Sequence, residues 1–208
     1  MEYIVKYNFY QDYKDLDINK FLERIEYLKR TYCIKNMSIE DMVKNYFVEI
    51  FSWSVIPIEV LNIIGYYLKE EQITKMIDPC CGNAFHSYLF AKMLKLETYT
   101  VDIQDEPSSW TDITEKDGIV FMRELGKLEF DNSVLLLSWI DYESLAIELL
   151  DLYGGNMVIS LGNYEKLSPN YVKLLNEKFK LLFKVVLVMP WGLRENMEIY
   201  TRKLVNDD

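Results

Sequence analysis

The stretch from Ile73 to Gln104, ITKMIDPCCGNAFHSYLFAKMLKLETYTVDIQ, constrains the fold more than any other part of the chain. An apolar run, Ile73–Ile77, ends in Asp78, and Pro79-Cys80-Cys81-Gly82-Asn83 breaks it. Apolar residues then recur at helical spacing through Phe85, Leu89, Phe90, Met93 and Leu94, and a second short run, Thr98–Val101, closes on Asp102. Strand, glycine-bearing turn, helix and acid-tipped strand make half of a mononucleotide-binding unit. The glycine lets a ligand approach the backbone, and an acid about 20 residues on grips a ribose.

The rest of the chain repeats the alternation. Pro57 opens a helix carrying Val60, Leu61, Ile64, Tyr67 and Leu68. Gln104–Gly118 reads as a polar loop and Phe121–Leu128 as a short helix. Ser133–Trp139 is the continuous apolar run of a strand buried on both faces. A helix at Ser144–Leu152, a strand at Met157–Leu161 and a helix at Pro169–Phe179 follow. Two strands, Leu181–Met189 and Met197–Leu204, flank Pro190-Trp191-Gly192 and suggest an antiparallel hairpin at or near the sheet edge. The pattern predicts an α/β fold, Rossmann-like, with a mostly parallel sheet and a C-terminal antiparallel hairpin. Residues 1–45 read as a mostly helical N-terminal extension before an α/β domain at 46–208. One helix is expected through Ile18–Tyr32 and another from Ser38 to about Phe51. Met1–Asp17 fits a strand-like arm or a partly disordered one.

At 208 residues, half of them hydrophobic, the chain can bury one full core. No apolar run approaches the roughly 20 residues that span a bilayer. The acidic, tyrosine-rich N-terminus is unlike a targeting peptide, which points to the cytoplasm. A net charge of −10 with scattered Lys and Arg argues against a broad nucleic-acid interface. Cys33, Cys80 and Cys81 with the single His86 suit neither a disulfide framework nor a metal site. The adjacent pair reads as small thiols beside a tight turn, with a zinc or redox role as the lesser alternatives. His86 reads as a packed or surface histidine rather than a base.

With the hairpin ending, the opening unit resembles the class I S-adenosylmethionine-dependent methyltransferase superfamily. Within it the chain is most similar to an uncharacterised methyltransferase-like group. That group's pattern is an aromatic-Ser-Trp-small-Ile-Pro lead-in, an acid-and-glycine turn ending in Gly-Tyr-Trp-Ala, and a Trp-Pro-Pro strand end followed by Met-Ala. A Tyr-x-Gly turn and a Gly-Glu strand end complete it. Here those positions hold Phe51–Pro57, Asp78–Ser87, Ser138–Asp141 with Leu145-Ala146, Tyr153–Gly155, and Leu161-Gly162-Asn163. The resemblance runs from about Tyr46 to Lys203. Three positions depart from it: Ala84 replaces the last glycine of the turn, Trp139 lacks the following prolines, and Asn163 stands where an acid is expected.

The resemblance implies S-adenosylmethionine as cofactor and an unidentified small-molecule or protein methyl acceptor. Trp53, Asp78, Cys80, Gly82, Ala84, Asp102 and Asp112 would surround the cofactor. Gly82 would meet its methionine part beside a helix N-terminus, and Asp102 would take both ribose hydroxyls. Ala84 is tolerable in the turn if its φ is negative. Asp112 and Trp110 would face adenine. Ser138, Trp139 and Asp141 would face the acceptor, with Asp141 as proton acceptor. Trp53 could instead anchor the N-terminal helices, Trp139 pack in the core and Asp141 cap a helix; Trp191 could line a substrate wall or pack on the sheet edge. The motif departures keep open a second reading, a catalytically inactive binding or assembly subunit, and the turn alone also fits another nucleotide-binding enzyme such as a dehydrogenase. Homo- or hetero-oligomeric association is compatible with either.

Overall fold

The computed structural model describes residues 3–6, 48, 50–54, 56–104, 109–126, 130–140, 142–162, 169–189 and 194–203. Eight strands form one sheet: β1 (Tyr3–Lys6), β2 (Lys75–Asp78), β3 (Glu97–Asp102), β4 (Thr114–Glu115), β5 (Ser133–Ser138), β6 (Met157–Gly162), β7 (Phe179–Val188) and β8 (Arg194–Arg202). Their order is β1-β7-β8-β6-β5-β2-β3-β4. Every pairing is parallel except those of β8, which runs antiparallel between β6 and β7. The expected hairpin is therefore present, with β8 inserted inward and β7 covered by β1. This is the Rossmann-like, methyltransferase-type sheet with one additional edge strand.

Helices α1 (Ile58–Glu70), α2 (Phe85–Leu89), α3 (Gly118–Leu125), α4 (Glu143–Leu152) and α5 (Pro169–Lys178) cover both faces. Strand alternation divides the core accordingly. Met76, Val134, Leu136 and Ile159 pack with Val60, Leu61 and Ile64 of α1 and with Phe85 and Leu89 of α2. Ile77, Leu135, Leu137 and Val158 pack against Leu149 of α4, Met122 of α3 and Tyr171 of α5. No helix among the described residues is long and apolar enough to cross a membrane.

Some sequence expectations shift. A two-residue strand, β4, lies inside the expected polar loop and pairs with Val101 and Asp102 of β3. The helix after the turn changes to π winding over Phe90–Leu94. This wider turn breaks the apolar phase and leaves Met93 39% exposed. Of the expected N-terminal helices, Val48 and Ile50 are described, helical and buried; the remainder lies outside the described residues. Tyr3–Lys6 takes the strand-like alternative and joins the sheet that follows.

The strand order reverses at β2, which has β3 on one side and β5 on the other. Their C-terminal ends therefore open a crevice at a topological switch point. Gly118 keeps one wall of it tight, because a Cβ there would lie 2.3 Å from the Pro79 carbonyl oxygen. Gly118→Ala should destabilise the fold by about 1–3 kcal/mol through overpacking. Thermal melting should fall by several degrees; an unchanged melt would show that the turn after β2 is not seated on α3.

Candidate functional site

A cleft of about 240 Å³ lies at this switch point, lined by Ser52, Trp53, Asp78, Cys80, Gly82, His86, Asp102, Ser138 and Trp139 among others. The structure thus gathers eight of the ten residues anticipated from sequence around one region: seven line the cleft, and Ala84 lies in the adjoining turn.

Its floor is the turn after β2. Cys81 N–H donates to the Val101 carbonyl at 3.0 Å and Ala84 N–H to the Cys81 carbonyl at 2.9 Å, tying the turn to β3 and to itself. Gly82 has φ +55°, and a Cβ built there would meet nothing within 4 Å. Glycine is required by conformation here, not by crowding. Its N–H donates to Asp102 Oδ2 at 2.8 Å, while Ile103 N–H donates to Asp102 Oδ1 at 2.8 Å. Each carboxylate oxygen keeps a further acceptor direction. Phe85 N–H, the first amide of α2, is taken by Asn83 Oδ1 at 3.2 Å.

Asp78 sits at the end of β2, 2% exposed, and accepts from Ser87 Oγ at 2.8 Å. Burial pushes its carboxyl up to about 7; the Ser87 bond opposes this and the Asp102 charge adds to it. Burial and the same carboxylates raise both thiols, Cys80 to about 12 and Cys81 further. The pair is accordingly held as neutral thiols and poor nucleophiles.

The opposite wall is built around Trp139, which follows β5 with φ +49°, a left-handed conformation unusual for a bulky side chain. Its backbone N–H donates to the Leu161 carbonyl at 2.9 Å. Its indole N–H donates to Ser54 Oγ and, at 3.2 Å, to Glu195 Oε2. The Ser54 hydroxyl donates in turn to the same Glu195 oxygen. Trp53 packs on Trp139 with centroids 5.4 Å apart and stays 46% exposed. Glu195 is 1% exposed; burial raises it to about 7, and its two hydrogen bonds oppose the rise.

His86 connects the two walls. Its Nε2 faces the Ser54 carbonyl at 2.8 Å. A carbonyl only accepts, so Nε2 carries the hydrogen and Nδ1, 3.4 Å from Ser138 Oγ, carries the lone pair. Burial lowers the ring to about 4, so the imidazole is neutral. Packing was foreseen for His86; its place in the cleft wall was not.

Three expectations require correction. Ala84 has φ +61°, not a negative value, and is fully buried in the turn rather than lining the cleft. The cost of that conformation is local backbone strain. Trp110 is 2% exposed and cannot stack on adenine: its Nε1–H donates to the Ile50 carbonyl at 2.6 Å, and its ring packs on Phe51, Phe85 and Tyr88. Asp112 is exposed and outside the cleft lining. Asp141, Asn163 and Trp191 lie outside the described residues. Sequence reading missed Ser54, Asn83 and Glu195. The one available signal was an acid, Glu195, in register with buried apolar positions of β8.

No family model matches the chain, and no curated protein matches it. Its fold matches that of MtNAS, solved in complex with MTA and tNA, with TM-score 0.52 and 11% identity over 90% of this chain and 70% of that one. An uncharacterised protein from Listeria monocytogenes serotype 4b gives 0.49 and 11% over 69% of this chain and 66% of that chain. A SAM-dependent methyltransferase from Archaeoglobus fulgidus gives 0.46 and 12%, over 68% and 94% respectively. At these identities the likeness concerns architecture alone, and with the strand order and the single antiparallel β8 it shows a Rossmann-like fold of the methyltransferase type.

Proposed function

We infer that this cleft binds S-adenosylmethionine and that the chain transfers its methyl group to an acceptor seated beside Trp139. The observation that carries the reading is the Gly82–Asp102 arrangement at the switch point. A glycine with open space over its α-carbon and a carboxylate with acceptor capacity to spare form a cradle for a ribose and the chain attached to it. Asp102 would accept from the ribose hydroxyls, and Asp78 would face the cofactor's amino-acid end. Trp53 would stand where the methionine part, whose sulfur carries the methyl, meets the acceptor.

When bound, the cofactor supplies an electrophilic methyl: the acceptor's lone pair forms the new bond to carbon while the carbon–sulfur pair stays on sulfur. The chain's task is alignment, and alignment supplies much of the rate in such a displacement. Trp139, fixed by three hydrogen bonds, and Ser138, facing His86 Nδ1, give the acceptor side defined walls. Asp141, two residues beyond Trp139, remains our proposed proton acceptor for a hydroxyl or amine. A binding subunit without catalysis is the second reading, favoured by a turn that departs from the glycine pattern at Ala84, held at φ +61°.

Methyl-labelled S-adenosylmethionine offered with panels of small molecules and proteins separates the two. Label in an acceptor with matching S-adenosylhomocysteine supports transfer. Saturable binding with no transfer to any acceptor favours the subunit.

A further inference from the structure

The geometry points to a subsite for a cationic nitrogen against the Trp53–Trp139 pair, so that the acceptor is an amine rather than an anionic or phosphorylated molecule. This rests on the methyl-transfer reading and narrows its acceptor class.

Three features support it. The first is shape: the wall is two indoles, one of them 46% exposed, held beside the cleft by a left-handed residue and its hydrogen bonds. At 5.4 Å between centroids the rings touch each other, so a guest sits against the exposed part of the pair and not between them. Indole faces are the best aromatic surface for an ammonium.

The second is charge. The described residues lining the cleft include two carboxylates, Asp78 and Asp102, and neither Lys nor Arg. His86 adds no positive charge, since its one ring hydrogen faces the Ser54 carbonyl and burial disfavours a second. A phosphate or carboxylate on the acceptor would find no counterion among the described residues of these walls, whereas a cation enters a favourable field.

The third is Glu195. Its Oε2 accepts from the Trp139 indole N–H, and its Oε1, buried, has no partner among the described residues. A carboxylate bonded to an indole N–H feeds electron density into the ring and strengthens its attraction for a cation. Methylating a neutral amine leaves the positive charge on nitrogen. The charge moves from the sulfonium sulfur to that nitrogen, and such a wall favours it there over the neutral amine.

The test uses the full chain saturated with S-adenosylhomocysteine, with the indole N–H signals of Trp53 and Trp139 followed by NMR. Tetramethylammonium should shift both signals saturably, at about 10-fold lower concentration than its neutral counterpart tert-butanol. Trp53→Leu, at an exposed position, and the near-isosteric Glu195→Gln should each erode that preference. Equal responses to the two probes, or a preference that survives both variants, would overturn the inference. Saturation with S-adenosylhomocysteine is measured separately. Its failure would defeat the methyl-transfer reading, and the same two-probe titration on the free protein would still decide whether the subsite takes a cation.

Discussion

Asp78→Asn is expected to make the protein more stable and less able to bind its cofactor, with the stability gain confined to neutral and alkaline pH. The side chain is 2% exposed, and burial raises its carboxyl from 3.8 to about 7. A raised folded-state value means the group favours folding below about pH 4. That advantage is lost as the pH rises through about 7, where the fold must carry a desolvated charge. A shift of this size corresponds to on the order of 4 kcal/mol for a fully buried group. Asparagine removes the charge and keeps an oxygen for the Ser87 hydroxyl, now 2.8 Å from Oδ2. Melts at pH 5 and pH 8 should show wild type losing stability with pH more steeply than the variant, by several degrees at pH 8. His86 and Glu195 also titrate in this range, His86 in the opposite sense, but both are common to the two proteins and cancel in the difference. A variant less stable than wild type at pH 8 would contradict the burial account. A stabilised variant that loses cofactor is what a functional site held at a cost to the fold would give.

Asp102→Ala should have the larger effect on binding. The carboxylate accepts from Gly82 N–H, and it would accept two ribose hydroxyls. Hydrogen bonds to a charged group contribute about 1.5–3 kcal/mol each, so removing two should weaken S-adenosylhomocysteine binding by about 100-fold or more. Asp102 is partly exposed, so the melting temperature should move little. Asp102→Asn, which keeps one acceptor oxygen, should fall between the two. Equilibrium dialysis with labelled S-adenosylhomocysteine reads the series. Equal affinity for wild type and Asp102→Ala would remove Asp102 from the site.

Local patterns account for what was legible in the sequence. Runs such as Ser133–Ser138 and Met157–Gly162 announce strands covered on both faces, and the spacing of Gly82 and Asp102 places them on adjacent strand tips. What depended on contacts between distant parts of the chain was not legible. Glu195 meets Ser54 across 141 residues, because β8 inserts between β6 and β7. Trp110 is spent on Ile50, 60 residues away, which no loop pattern reveals. The backbone of Ala84 is left-handed against the preference of its own side chain, because the turn is fixed at Cys81 and at Val101 of β3. The same long-range closure gives His86 its tautomer and its place in the cleft.

The central claim is that the crevice between Gly82, Asp102 and Trp139 is a cofactor site. Calorimetric titration of the full chain with S-adenosylhomocysteine tests it most directly. The account predicts saturable binding at one site per chain, abolished or weakened about 100-fold in Asp102→Ala. No heat of binding at millimolar ligand, or binding that Asp102→Ala leaves unchanged, would contradict it.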